Sequence, residues 1–243
     1  MSRMEPAADR SLLREEVVVV LMLSFLASAA YAVINILSAP IAGEYVAAGN
    51  QSSELAKQIA GVVFGLAPVY LVLHLVRRSG EGVRGIGLDG GEPRRDIGRG
   101  VVLFGVVGTL GIVVYLASVA LGINRFVVPV PPLGHWWTVP ALVLNSAEAA
   151  VKEEVIVVAY LVTRLGQLGW GDRPAIAASG FLRGSYHLYQ GFGGFAGNLA
   201  MGLAFAWLFT RTRRAWPFVV AHLLLDVAAG LGFLLFRERL PGF

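Results

Sequence analysis

The stretch that decides the fold reads Ala147-Glu148-Ala149-Ala150-Val151-Lys152-Glu153-Glu154-Val155-Ile156-Val157-Val158. It places three carboxylates and a lysine inside an otherwise apolar segment that covers residues 139–165. A charged side chain at the centre of a membrane helix costs about 2.5–3.5 kcal/mol, even on the most lenient insertion scale. Two adjacent glutamates at such a depth indicate a functional site, provided that the segment crosses a membrane rather than facing water.

The composition of the chain is typical of a membrane protein. Of its 243 residues, 56% are hydrophobic and 15% are charged, whereas a soluble domain carries about 25% charged residues. The sequence contains no cysteine, which excludes disulfides, cysteine-bound zinc and thiol catalysis. The net charge of +4 comes from arginines that are spread over alternate loops, as is usual in membrane proteins. Because they form no single basic face, we expect no nucleic-acid partner.

Seven apolar runs approach the length of about 20 residues that a membrane-spanning helix needs. They cover approximately residues 16–38, 57–77, 99–122, 139–163, 174–190, 194–211 and 216–237. The sequence therefore predicts an all-α, polytopic transmembrane helical bundle of about seven spans. Residues 1–138 would form an N-terminal membrane region with three spans and a cytoplasmic loop rich in glycine and arginine, and residues 139–243 would form a four-helix core.

The distribution of arginine predicts the orientation of these spans. Alternate loops on one side carry most of the positive charge, in Arg3, Arg10, Arg14, Arg77, Arg78, Arg84, Arg94, Arg95, Arg99, Arg164, Arg173, Arg211, Arg213 and Arg214. The other side has Arg125, together with Arg237 and Arg239 near the C-terminus. By the positive-inside rule, we expect an integral multi-pass protein of the cell membrane with a cytoplasmic N-terminus. Glu15 and Glu16 directly precede the first run, which favours a retained anchor over a signal peptide cleaved near Ala30-Tyr31-Ala32.

The last four predicted spans carry polar side chains near the centre of the bilayer. They are Glu148, Lys152, Glu153 and Glu154 on the fourth span, Arg183 and His187 on the fifth, Asn198 on the sixth, and His222 and Asp226 on the seventh. Several are four residues apart and so share one helical face. Buried ion pairs that only hold helices together would need fewer such groups. We interpret the set as a polar site in a four-helix bundle, with Glu148 and Lys152 as a structural pair and Gly193-x-x-x-Gly197 as a close helix contact.

Such a set of side chains can activate water. A carboxylate beside a second carboxylate in a medium of low dielectric can act as a general base near neutral pH, and a histidine from another helix can polarise the same water. A second histidine can stabilise an oxyanion. This hydrolase site needs no cofactor. Two alternatives are a zinc-dependent form of the hydrolase, which Arg183 would oppose and which lacks an H-E-x-x-H motif, and an ion or proton transporter that uses the Glu/His/Asp cluster as a relay.

At these residues the sequence resembles the CPBP family of intramembrane proteases, which includes type II CAAX prenyl endopeptidases and bacteriocin-processing or immunity proteins. The family pattern has Glu-Glu-x-x-x-Arg on one helix, Phe-x-x-x-His on the next, and His-x-x-x-Asn or His-x-x-x-Asp on a later one. Glu153-Glu154, then His187, then His222 with Asp226 match it in order over about residues 139–230. The resemblance implies a glutamic-type endopeptidase, with a four-helix catalytic core, that cleaves a membrane-associated peptide or protein.

The resemblance also implies a role for each matching residue. Glu153 and His187 would activate the water, and Glu154 would support the base. His222 and Asp226 would stabilise the oxyanion. Asparagine is common in the family at the position of Asp226, and an ionised carboxylate would repel an oxyanion. We therefore expect Asp226 to act indirectly, by orienting His222 as an imidazolium.

The chain departs from the family pattern in its cation. Val158 stands where the family has arginine after the glutamates, and Arg183 stands where it has phenylalanine before the histidine. We hypothesise that the cation has moved to another helix, so that Arg183 pairs with Glu154. Arg183 and Asn198 are therefore expected to support the site.

Overall fold

The computed structural model describes residues 7–26, 28–29, 33, 51–124, 127 and 133–236, which are organised as a bundle of helices. The α-helices are, in chain order, α1 (Ala7–Leu21), α2 (Gln51–Gly65), α3 (Ala67–Arg78), α4 (Pro93–Ala120), α5 (Thr138–Glu153), α6 (Leu161–Gln167), α7 (Asp172–Tyr186), α8 (Phe192–Thr212) and α9 (Trp216–Phe236). π-Helical turns follow α1 at Met22–Leu26 and α5 at Glu154–Tyr160, and 3₁₀ turns cover Val83–Ile86 and Leu188–Gln190. The predicted all-α class is confirmed for this described part of the chain.

Four stretches of helix within the described ranges are long and apolar enough to cross a membrane. They are Glu54–Arg78, Pro93–Ala120, Phe192–Thr212 and Trp216–Phe236. Each lies close to one of the predicted spans, and helices of this length and hydropathy match the thickness of the hydrocarbon core. The protein is therefore an integral membrane protein.

The other three predicted spans differ in kind from these four. The run 16–38 extends beyond the described residues. The fifth span is the short helix α7, which has 15 residues and ends at the residue before His187. The fourth is a continuous helical stretch, from α5 through the π turn to α6, whose middle carries Glu148, Lys152, Glu153 and Glu154. The total of seven spans stays a prediction.

This fourth stretch forms the centre of the bundle. Residues 154–160 of its π turn are all buried, as are the first residues of α6. A helix that is apolar on every face is stable only when it is surrounded, and the run Val155-Ile156-Val157-Val158 meets that condition. α3, α7, α8 and α9 all pack against the π turn. The two glutamates at its start are thus held inside the protein rather than exposed to lipid.

Small residues bring α7 and α8 close together. A Cβ atom added to Gly202 of α8 would lie 2.9 Å from Gly180 Cα and 3.0 Å from Arg183 Cδ, both on α7. The predicted Gly193-x-x-x-Gly197 motif lies on α8 but on the side of α4, because a Cβ on Gly193 would meet Ser118. The close approach of α8 to α7, the helix that carries Arg183, therefore depends on Gly202 and Gly180.

Hydrogen-bonded ion pairs join the loops on the predicted cytoplasmic side. Arg214, between α8 and α9, donates from Nη2 to Asp96 Oδ2 at 2.6 Å and from Nε to Asp96 Oδ1 at 2.7 Å. These hydrogen bonds raise the pKa of the Arg214 guanidinium above its usual value. Arg164 of α6 donates from Nη1 to Glu81 Oε1 at 2.6 Å. At the opposite end, Asn124 and Gly191 form a β-bridge.

Several sequence features that bear on orientation lie outside the described residues. They are Arg3, Arg125, Arg237, Arg239 and the segment Ala30-Tyr31-Ala32. The cytoplasmic N-terminus and the retained anchor therefore stay predictions.

Candidate active site

Three segments of helix meet at the site. Glu153 is the last residue of α5 and Glu154 is the first residue of the π turn, and both are buried. α7 supplies Arg183, and α9 supplies His222 and Asp226, which are one turn apart. His187 follows the last residue of α7 directly. The structure brings together the five predicted catalytic residues and Arg183.

Glu154 is fully buried and its Oε1 atom has two partners. Arg183 Nη1 donates a hydrogen bond to it at 2.6 Å, and His222 Nδ1 lies 2.8 Å from it. The hypothesised ion pair between Arg183 and Glu154 is therefore present. Arg183 is also fully buried, and a buried guanidinium is stable only when carboxylates and hydrogen bonds satisfy it. Val158, where the family pattern has arginine, is packed in the apolar core.

The two carboxylate oxygens of Glu153 have different surroundings. Its Oε2 atom accepts a hydrogen bond from the hydroxyl of Tyr186 at 2.8 Å and lies 3.3 Å from Arg183 Nη2. Its Oε1 atom lies 4.0 Å from His187 Nε2. That distance is too long for a direct hydrogen bond. It matches the separation that one water molecule spans when it makes a hydrogen bond of about 2.8 Å to each group.

The ring of His187 is oriented by its own helix. Its Nδ1 atom lies 3.0 Å from the carbonyl oxygen of Arg183. A carbonyl oxygen only accepts hydrogen bonds, so this contact assigns the ring proton to Nδ1 and leaves the lone pair of Nε2 facing Glu153. A carboxylate and an unprotonated imidazole nitrogen both accept hydrogen bonds. A water molecule between them can donate one proton to each, which leaves its oxygen lone pairs free for attack.

His222 lies between two carboxylates. Its Nδ1 atom faces Glu154, and its Nε2 atom lies 3.4 Å from Asp226 Oδ2. An imidazolium can donate to both, and it lowers the net charge of the cluster to that of one carboxylate. His222 is 4% exposed, whereas the side chain of Asp226 is 40% exposed. Asp226 therefore lies at the open edge of the site, and its contact with His222 is the longer and weaker of the two.

Part of the chain is similar to a known protein family. The family model described as Type II CAAX prenyl endopeptidase Rce1-like matches residues 135–228. Residues 135–228 form an Rce1-like domain. No curated protein and no solved structure matches the chain.

The Rce1-like domain contains every residue that the sequence predicted for the site. It begins just before α5 and ends two residues after Asp226. For residues 135–228, this match confirms the resemblance to the CPBP family that the sequence predicted. α1 to α4 lie outside the matched residues.

Four other polar residues of the Rce1-like domain make contacts that stabilise its helices. Glu148 Oε1 and Lys152 Nζ form the predicted structural pair, at 2.6 Å. Asn198, predicted to support the site, donates from Nδ2 to the carbonyl oxygen of Gly194 on its own helix at 3.0 Å. Its described hydrogen bond does not link it to the glutamates. Ser179 donates to a backbone carbonyl of the π turn at 2.7 Å, so its hydroxyl serves to join two helices.

The donor set of the Rce1-like domain is poorly suited to zinc. The guanidinium of Arg183 reaches Glu154 at 2.6 Å and Glu153 at 3.3 Å, so a cation bound by these carboxylates would face a fixed positive charge. Among the described residues, no group of three or more His, Asp and Glu side chains has the geometry of a metal site. The zinc-dependent alternative would require Arg183 to leave both glutamates.

Two residues of the site were not predicted from the sequence. Tyr186, between Arg183 and His187, donates to Glu153, and Phe25, from the turn after α1, stacks on the Tyr186 ring with centroids 4.5 Å apart. Tyr186 directly precedes the predicted site residue His187, and this neighbourhood is the feature of the sequence that indicates its place in the site. Phe25 carries no such signal, because its contact joins residues 161 positions apart in the chain.

Proposed function

We propose that the protein is an intramembrane glutamic-type endopeptidase that hydrolyses a peptide bond of a membrane-associated substrate. The observation that supports this most directly is the 4.0 Å separation of Glu153 Oε1 and His187 Nε2. The match of residues 135–228 to a family of membrane proteases supports the same class of reaction. The substrate class is a peptide or protein held at the bilayer, and the catalysis needs no cofactor.

The reaction begins with the water between Glu153 and His187. Glu153 accepts a proton as the water oxygen adds to the substrate carbonyl carbon, and His187 holds the water in line through Nε2. The product of this step is a tetrahedral intermediate with a negative oxygen. Glu153 then returns the proton to the leaving nitrogen as the C–N bond breaks. The carboxylate is thus regenerated, and the two products are a carboxylic acid and an amine.

The charge on the tetrahedral intermediate is stabilised from α9. His222 as an imidazolium presents an N–H group at the open edge of the site, and the 3.4 Å contact of Nε2 with Asp226 is long enough to be exchanged for an oxyanion. Glu154 keeps His222 charged and oriented through Nδ1. Arg183 holds the carboxylates of the consecutive residues Glu153 and Glu154 together. Asp226 acts through His222, and Glu154 and Arg183 act through the residues that they position.

The location of the reaction follows from the predicted orientation. The site lies near the C-terminal ends of α5 and α7, which we expect in the middle of the bilayer. The arginine-rich loops predict that the cytoplasm is on the side of Arg164 and Arg214. We therefore expect cleavage within the bilayer on the cytoplasmic half of the cell membrane. Prenylated proteins with a C-terminal CAAX sequence are one substrate class within this proposal.

Cleavage by the purified protein tests the proposal. The full chain in lipid nanodiscs is incubated with a library of membrane-proximal peptides, with and without a prenyl group, and products are read by mass spectrometry. We expect wild-type protein to cleave a subset, and Glu153→Gln to lower kcat by about 10²–10⁴-fold, which is the usual contribution of a general base. Glu148→Gln is the matched control, because it makes the same change on the same helix, outside the cluster.

Each alternative has its own outcome. Equal activity of Glu153→Gln and wild type would contradict the assignment of the base. Loss of wild-type cleavage in chelator, with recovery on adding zinc, would favour the metal-dependent form. No cleavage by any variant, together with ion or proton flux through proteoliposomes that Glu153→Gln abolishes, would favour a transporter.

A further inference from the structure

Tyr186 contacts one carboxylate oxygen of Glu153, and the other oxygen faces His187. Its hydroxyl donates to Oε2 at 2.8 Å, and the same oxygen is 3.3 Å from Arg183 Nη2. A carboxylate beside a guanidinium tends to form two parallel hydrogen bonds with it, and such an arrangement would turn both oxygens away from His187. Because the Tyr186 hydroxyl occupies Oε2, the carboxylate keeps Oε1 directed towards His187.

The ring of Tyr186 is fixed by a residue far away in the sequence. Phe25, 3% exposed, stacks on Tyr186 with centroids 4.5 Å apart and planes inclined by 23°. Tyr186 itself is 6% exposed. Aromatic pairs at this separation contribute about 0.5–1.5 kcal/mol beyond their buried area. Phe25 therefore limits the positions that the Tyr186 hydroxyl can adopt.

The segment that carries Phe25 is anchored to the central helix at a second point. Glu16 of α1 accepts hydrogen bonds from Tyr160 Oη at 2.8 Å and from Arg164 Nε at 3.1 Å. Phe25 lies roughly 13 Å further along α1 and its π turn, at about 1.5 Å per residue. On the central helix, Glu153 precedes Tyr160 by roughly 10 Å on the same scale. The two segments thus pack antiparallel, with one contact near the site and one near the cytoplasm.

We infer that Tyr186 is a positioning residue for the general base, and that the N-terminal segment, through Phe25, is part of the active site's support. This inference rests on the proposed function, because it assigns Tyr186 a role only if Glu153 activates water. It extends the site beyond the Rce1-like domain, since Phe25 lies more than a hundred residues before residue 135. Truncation of the segment that contains α1 and its π turn would then impair turnover.

Tyr186→Phe tests the hydroxyl alone, because phenylalanine keeps the ring that stacks on Phe25. We expect kcat to fall about tenfold to a hundredfold, as for a lost hydrogen bond to a charged group, with KM close to wild type. Ser185→Ala is the control. It removes a hydroxyl from the neighbouring position of α7, where the hydroxyl donates only to the carbonyl oxygen of Phe181 on the same helix, so kcat should stay at the wild-type value.

Phe25→Ala tests the contribution of the N-terminal segment. We expect kcat to fall severalfold with little change in KM, since the Tyr186 ring loses its stacking partner. Leu23→Ala is the control for this variant, because Leu23 belongs to the same π turn and is 63% exposed. Combining Phe25→Ala with Tyr186→Phe should lower kcat by less than the product of the two single effects, because both act on one hydrogen bond.

The outcomes separate this inference from the proposal that it extends. Wild-type cleavage with full kcat in Tyr186→Phe would overturn the inference and leave the proposed function intact. A Tyr186→Phe effect that appears only in the unfolding midpoint, or that Ser185→Ala reproduces in kcat, would also overturn it, because the residue would then be structural. Absence of wild-type cleavage would overturn the proposed function, and the positioning role with it.

Discussion

Arg183 organises the charges of the site at the scale of a single residue. Its Nη1 atom bonds Glu154, and its Nη2 atom lies 3.3 Å from Glu153 and 3.1 Å from His222. Its guanidinium also lies over the ring of Phe205, 5.7 Å from the centroid. Because Arg183 lies on α7, its ion pairs join α7 to the central helix, and its contact with His222 places it against α9. An arginine at position 158 would be on the central helix itself.

Removing this cation should inactivate the protein and destabilise it. Arg183→Phe leaves Glu154 buried beside Glu153 without its guanidinium, and breaking a buried ion pair by removing one partner costs about 3–5 kcal/mol. We expect no measurable cleavage and a lower midpoint in thermal unfolding. Adding Val158→Arg to Arg183→Phe should restore some activity, since the family pattern has the cation there.

The exposed Arg94 on α4 is the control for this prediction. Arg94→Phe makes the same exchange outside the site and should leave cleavage unchanged. Full activity in Arg183→Phe would contradict the hypothesis that this arginine has taken over the role of the family's cation.

In the proposed mechanism, Asp226 acts through His222. Its Oδ2 atom lies 3.4 Å from His222 Nε2, and Asp226→Asn removes a charge while keeping the size of the side chain. We expect kcat to fall about tenfold, the effect of weakening one charge-assisted hydrogen bond, and KM to change little. Steady-state cleavage kinetics measure this, with Asp172→Asn at the exposed start of α7 as the control. Retention of most activity would contradict the indirect role.

At the scale of the element, the contact between α7 and α8 holds Arg183 in place. Gly202→Ala would bring a methyl group within 3.0 Å of Arg183 Cδ and 2.9 Å of the α7 backbone. One of the helices must then move, and the ion pairs of Arg183 must lengthen. We expect a lower unfolding midpoint and reduced cleavage.

Gly197→Ala, five residues earlier on α8, is the comparison. Its added methyl group would find Val114 Cγ1 at 3.7 Å, an ordinary contact. Alanine is favoured over glycine inside a helix by about 1 kcal/mol, so this variant should be unchanged or more stable. If the two alanine variants unfold at the same temperature, the close approach at Gly202 does not hold the site.

The sequence predicted the elements better than their local geometry. Runs of apolar residues identified α4, α8 and α9, because a helix of membrane length has a strong compositional signal. The π turn at Glu154–Tyr160 was not foreseen, since its backbone hydrogen-bond pattern has no distinctive residue pattern. The i, i+4 spacing and the order of the motifs identified Glu153, His187 and His222. Tyr186 and Phe25 depend on packing between distant segments, which residue spacing cannot reveal.

At the scale of the whole molecule, each end of the helical bundle has its own set of polar contacts. Arg214 with Asp96 and Arg164 with Glu81 join one set of loops, and the bridge of Asn124 with Gly191 joins the other. The two sets of contacts lie on opposite faces of the bundle, because each membrane-length helix runs from one face to the other. By the positive-inside rule, we predict that the first face is cytoplasmic.

Cysteine labelling in intact cells tests this orientation. The chain has no cysteine of its own, so a single introduced thiol gives an unambiguous signal. We expect Arg94→Cys to react with a membrane-impermeant maleimide only after the cells are opened, and Leu121→Cys, at the far end of α4, to react in intact cells. The reverse pattern would invert the predicted topology, and with it the side of the bilayer on which cleavage occurs.

The interhelical position of Arg183 also affects how related chains are recognised. A search pattern that requires arginine four residues after the paired glutamates would reject this chain, although its glutamate has a guanidinium at 2.6 Å. With valine in place of arginine at position 158 and arginine in place of phenylalanine at position 183, the site keeps its positive charge. The sequence, however, no longer matches the family pattern. Chains set aside as inactive for lack of that arginine should therefore be searched for a cation four residues before the histidine of the next helix.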